Sequence, residues 1–175
     1  MSADEEGVGW LAMGLALALL WLAVRGVDAT PVRVAEELVI GLGVGLPLAY
    51  VGRRFYLHQT AAGKALLSRL SQPEVEEIVD RWGLPARTEN TITDPEELYE
   101  ELDVIRDRGY SFNREEQLQG VKAVGVPVTG PDDRVIGAFS VASPANRMSD
   151  EWFEEKLPSI ALGVTNEFEL EYSLS

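Results

Sequence analysis

Phe55–Leu70 reads FYLHQTAAGKALLSRL, and it holds the chain's single histidine, His58, followed by Thr60, two alanines and Gly63-Lys64. Four readings compete for it: a phosphate loop, a catalytic or metal-binding histidine, packed core, or a family signature. The phosphate loop fails on spacing. It needs glycine where His58 stands and Ser or Thr, to meet magnesium, where Ala65 stands. A catalytic histidine has no thiol to activate, since the chain lacks cysteine, and no serine sits in a nucleophile-elbow pattern. One histidine and no cysteine also exclude disulfides, cysteine-type zinc sites and multi-histidine metal centres. His58 therefore reads as a hydrogen-bonded structural residue. Glu115-Glu116 suggests a carboxylate pair, but adjacent charges before a strand are expected to be solvated. No acid, base and electrophilic site assemble, so the sequence points away from an enzyme and requires no cofactor. What the stretch does offer is a helix start. The small Ala61 and Ala62 leave room for a ligand, and backbone N–H groups there favour an anion; close packing is the equal alternative.

The flanks are unlike. Gly7–Val24 is 18 residues without a charge, and Leu38–Gly52 adds 15 more. As helices these would measure roughly 27 and 22 Å against a hydrocarbon core of about 30 Å. We read residues 1–54 as a two-helix transmembrane hairpin, with residues 7–52 in or near the bilayer. The second span is short and needs bilayer thinning or snorkelling by Arg53 and Arg54. Gly41 and Gly45 form a GxxxG pair suited to close helix approach. The acidic start MSADEE argues against a signal peptide. Basic residues following the second span favour a cytoplasmic C-terminal part. A buried helical hairpin in a soluble, cytoplasmic protein is the alternative.

Net charge is −14 over 175 residues. Residues 55–175 hold 23 acids and 11 bases, so they would be repelled by a phosphate backbone and no direct nucleic-acid binding is expected. Abundant Asp and Glu with only three lysines looks like the proteome of a salt-loving archaeon; an ordinary acidic surface is the alternative.

Periodicity predicts a helix over Thr60–Ser71, then a short one with Pro73 in its first turn, a Val75, Ile78 and Val79 stripe, and Gly83 at its end. A third is capped by Asp94, opened by Pro95 and closed at Gly109. GVKAVGVPVTG and RVIGAFSVAS then read as an antiparallel hairpin turning at TGPDDR. A last helix from Ser149 carries Phe153, Leu157, Ile160, Val164 and Phe168, with a kink or break expected at Pro158. Helices interleaved with an antiparallel sheet give an α+β domain over residues 55–175.

LHQTAAGKALL, TENTITDPEELYEELDVIRDRGY, NREEQLQGVKAVGVPV and GAFSVASPANR occur in this order, and together they resemble the latter part of the effector-binding domain of IclR-type transcription regulators. The resemblance covers about 120 residues, from near Tyr56 to the end. It implies a partial, GAF-like sensor domain that binds a small organic effector, often an acid. It also implies a ligand-binding set: Ala61 and Ala62, Asn113 where the family usually has aspartate, and the hairpin positions Val121, Ala123, Ser140 and Ala142. Asn113 and Ala142 make this pocket less polar than the family's. A standard member carries a winged helix-turn-helix and the first sensor strands upstream; here the apolar hairpin takes their place. The expected function is a membrane-tethered, non-enzymatic sensor whose effector modulates homodimerisation or contact with a partner. The alternatives are an interaction module forming a heteromer with full-length IclR-type regulators, or a soluble fragment of a regulator.

Overall fold

The structure, a computed structural model, describes residues 56–174; the apolar hairpin expected within residues 1–54 lies outside them. No described helix is long and apolar enough to cross a membrane.

A short 3-10 turn at Leu57–Gln59 leads into helix α1, Ala61–Leu67. Thr60 caps α1 by accepting a hydrogen bond from the Gly63 N–H. The helix is shorter than the expected Thr60–Ser71. At Ser68 the hydroxyl donates to the Ala65 carbonyl, and the chain turns through Leu70. Helix α2, Gln72–Trp82, starts with a capping box between Ser71 and Glu74 and ends at Gly83, whose φ of 67° suits glycine. Helix α3, Pro95–Arg108, is capped by Asp94 and terminated by Gly109 in the left-handed conformation, as the sequence predicts. Its buried Leu98, Leu102 and Ile105 recur at helical spacing and join Leu66, Leu67 and Val75 in one apolar cluster.

Three antiparallel strands follow: β1, Ser111–Arg114; β2, Val121–Thr129; and β3, Val135–Pro144, in the order β1-β2-β3. β2 and β3 form the expected hairpin. β1 was not anticipated, because Ser-Phe-Asn-Arg has a single strand-favouring side chain. β3 closes one end of this sheet, with no strand beyond it among the described residues.

Period-2 alternation divides the sheet into two faces. Phe112, Val124 and Val141 share one cross-strand row and pack with Phe153, Leu157 and Ala161 of the C-terminal helix. That helix, α4, spans Leu157–Ser173 and follows a π-helical turn at Trp152–Lys156. Pro158, expected to kink or break a helix here, sits in the first turn of α4; it has no N–H to offer, so the wide turn precedes it and the chain stays helical. The opposite face carries Ser111, Asn113, Ala123 and Gly125, and α1 lies directly on it. A Cβ on Gly125 would come within 2.5 Å of the Ala61 carbonyl, so only glycine permits this approach.

Candidate functional site

Strand register places five of the seven expected site residues on the α1 face. Asn113, Ala123 and Ala142 form one row; Ser140 lies two residues along from Ala142, and Val121 two along from Ala123. Ala61 and Ala62 begin α1 above the same face, so all seven come to one side of the sheet. Exposure then grades across it. Asn113, Ala61 and Ala62 are buried, Ala123 is buried, Val121 and Ser140 are half-buried, and Ala142 is exposed.

The polar groups at the buried end are already partnered. The Asn113 amide donates to the Gln59 carbonyl at 2.5 Å, and its oxygen accepts from the Glu116 N–H at 3.1 Å. The Ser111 hydroxyl donates to the Ala61 carbonyl at 2.6 Å. Gln59 donates to the Pro85 carbonyl at 2.7 Å, and the His58 ring nitrogen lies 3.3 Å from the same oxygen. Burial is the main cause holding the His58 pKa below its usual 6.5, partly offset by that carbonyl and reinforced by the nearby Lys64 charge. The Ala61 and Ala62 backbones press on Gly125, which leaves close packing, rather than an open anion cradle, at the helix start. Gly63 is needed for a second close approach, since a Cβ there would run into the Leu57 carbonyl.

Glu116 departs from the sequence reading, and Lys64 is its buried partner. Lys64 is buried to 1% exposure on α1, where it donates to Glu116 Oε1 at 2.8 Å. Its Nζ also lies 2.7 Å from Oε2, an ion pair without a well-aligned hydrogen bond. Glu116, expected to be solvated beside Glu115, is 6% exposed. Burial raises its pKa, while the Lys64 charge opposes the rise. The pair is held by a tight turn. Glu115 sits at a φ of 68°, and Thr88 and Thr91 both donate to the Glu116 carbonyl. Glu101 continues the charge chain, 3.5 Å from Lys64 and 3.1 Å from Arg108. Lys64, Glu101, Arg108 and Glu116 line a cleft of about 450 Å³ together with Phe112 and Arg114 of β1. One signal for Lys64 was legible: it stands three residues after Ala61 and three before Leu67, on the apolar side of α1.

Comparison with known proteins settles the family. The model for the bacterial transcriptional regulator IclR C-terminal family matches residues 47–164. The chain belongs to this family. ArcR of Halobacterium salinarum, a probable HTH-type transcriptional regulator, is 32% identical over 114 residues, 65% of this chain and 43% of that protein. The HTH-type transcriptional regulator KdgR of Dickeya chrysanthemi is 39% identical over 101 residues, 58% of this chain and 33% of that protein. The chain spans a third to about half the length of the curated relatives it matches. The inducer-binding domain of PobR from Acinetobacter, a double mutant in complex with 3-hydroxybenzoic acid, superposes with a TM-score of 0.65 at 32% identity, covering 69% of each chain. The C-terminal domain of E. coli KdgR gives 0.61 at 34% identity, covering 70% of this chain and 72% of that one. The fold is thus the α+β, GAF-like effector-binding domain of IclR regulators, a family of transcription regulators and not enzymes.

Proposed function

We propose that this chain is a membrane-tethered sensor of the IclR type. A small organic effector binds on the α1 face, the side of the sheet that gathers Ala61, Ala62, Asn113, Val121, Ala123, Ser140 and Ala142, and biases self-association or contact with a regulatory partner. One observation carries the reading: the strand register and the α1 start bring all seven residues to one side of the sheet, although they are spread over 82 positions of sequence. The tether is residues 1–54, and the sensor domain faces the cytoplasm. The family match covers residues 47–164 and so overlaps the end of the second apolar run, which leaves the first run, Gly7–Val24, as the stronger support for the tether. The acidic domain would repel a phosphate backbone, and regulation through a protein partner suits it better than direct DNA contact.

Thermal unfolding of the full chain in high salt against a panel of small organic molecules tests the sensor, since a ligand that binds only the folded state must raise the midpoint. Cell fractionation tests the tether. Full-length chain recovered in the soluble fraction without detergent sinks it and leaves a soluble regulator fragment.

The free side of β3 favours a second reading. Its ten residues carry no charged side chain and, among the described residues, pair on one side alone, which is a template for another chain. On this reading the chain binds no effector and forms heteromers with full-length IclR-type regulators. Co-purification with a DNA-binding homologue, alongside no thermal response to any ligand, is the outcome that selects it.

A further inference from the structure

We infer that the effector is a neutral molecule, apolar over most of its surface, and that Asn113 acts on it indirectly, by holding the Leu57–Thr60 loop against the sheet. The inference rests on the sensor reading above and names the ligand class of the same face.

A carboxylate buried in a protein needs a cation or several N–H donors, because an unpaired charge out of water is strongly disfavoured. The one cation on α1, the helix lying on this face, is Lys64, and both oxygens of Glu116 hold it. The amide of Asn113 donates to the Gln59 carbonyl, the hydroxyl of Ser111 to the Ala61 carbonyl, and the Gly63 N–H to the Thr60 hydroxyl. Each is an internal bond between buried groups, and releasing any one of them to a ligand strands its present partner. His58 is held toward its neutral form and spends a ring nitrogen on the Pro85 carbonyl.

Toward β3 the surface changes. Ala123, Val121 and Ala142 offer methyl groups, and the half-buried Ser140 hydroxyl makes no hydrogen bond among the described residues. A hydroxyl can donate or accept once to a ligand, which suits a carbonyl, amide, ester or alcohol. It cannot balance a full charge. The buried end of the face is therefore a closed wall and the β3 end the recognition surface.

Asn113 separates a wall from a contact. Its amide N–H₂ group is required, because the Gln59 carbonyl accepts from it at 2.5 Å. Asn113→Leu would remove that donor without adding a charge that could itself bias acidic against neutral ligands. If Asn113 is a positioning residue, the variant unfolds at lower temperature without ligand while its preference among ligands stays the same. If it touches ligand, the preference moves.

The experiment uses the full chain in high salt at pH 7. Thermal unfolding and calorimetric titration compare 3-hydroxybenzamide and methyl 3-hydroxybenzoate with 3-hydroxybenzoate, which share one ring and differ in charge. We expect the two neutral probes to bind at least about tenfold more tightly than the acid, the equivalent of about 1.4 kcal/mol. Asn113→Leu should lower the ligand-free midpoint and keep that ratio, and Ser140→Ala should weaken the neutral probes without lowering the ligand-free midpoint. Tighter binding of the acid overturns the inference and leaves the sensor standing, as does an Asn113→Leu ratio that shifts toward or away from the acid. No response to any of the three, nor to a wider panel of neutral and acidic molecules, overturns the sensor and this inference with it.

Discussion

The two faces of the sheet are built on opposite principles. On the α4 side, Phe112, Val124 and Val141 meet Phe153, Leu157 and Ala161, and stability comes from apolar area removed from water. Phe112 and Phe153 lie 4.7 Å apart by ring centroid at a 49° tilt, a favourable aromatic geometry. On the α1 side, small residues and glycines let backbones touch, and polar groups close the contact by hydrogen bonds and one buried ion pair. The lesson is that one face is a non-directional core, tolerant of similar shapes, and the other depends on direction. A directional face can hold a defined surface for a small molecule, and it is the more easily broken by a change of one atom.

Substitution can test this contrast, beginning with the largest effect. Phe153→Ala should destabilise by about 3–5 kcal/mol, read by denaturant unfolding, because it opens a cavity under a fully buried ring. An effect under about 1 kcal/mol would mean the α4 face is not the main core. Lys64→Met should cost up to about 3–5 kcal/mol, since it leaves the Glu116 carboxylate buried and unpaired. The double change Lys64→Met with Glu116→Leu should recover much of that loss. A double variant no better than the single one would show that the pair does more than satisfy itself.

A smaller change sharpens the hydrogen-bonded side. Ser111→Ala removes the donor to the Ala61 carbonyl and should cost about 0.5–1.5 kcal/mol by the same measurement. The smallest effect concerns pH. His58 is the single histidine, and its folded pKa lies below 6.5, so the unfolded chain takes up the proton first as pH falls. Its contribution is complete above pH 6.5 and is lost as pH drops through 6.5 toward the lowered value. Glu116 runs the other way, because a raised carboxyl pKa costs stability as pH rises from 4.5 through the raised value. His58→Asn should therefore remove the acid-side loss that sets in below pH 6.5 from the midpoint-versus-pH curve and leave the Glu116 slope. An unchanged curve would place the titrating group elsewhere.

Much of the frame was legible. Asp94, Pro95 and Gly109 mark the ends of α3 through caps that act within a few residues, and the hairpin around TGPDDR follows from local turn chemistry and alternation. The IclR resemblance of the TAAGK and hairpin motifs led to the right family. Other features were hidden for a shared reason. β1 becomes a strand because β2 pairs with it, and a four-residue Ser-Phe-Asn-Arg segment has little preference of its own. Glu116 is buried because Lys64, 52 positions earlier, neutralises it there. The Asn113 amide is held by the Gln59 carbonyl, 54 positions away, a contact that no local pattern announces.

The sequence by itself determined the α+β class, most helix ends and the hairpin, because caps, turns and periodicity act over a few residues, while the resemblance of its ordered motifs pointed to the IclR family. Tertiary structure alone decided which polar groups are spent. Whether Lys64, Glu116, Ser111 and Asn113 face water, ligand or one another depends on distances across the folded sheet, and a hydrogen bond forms within about 3 Å or not at all.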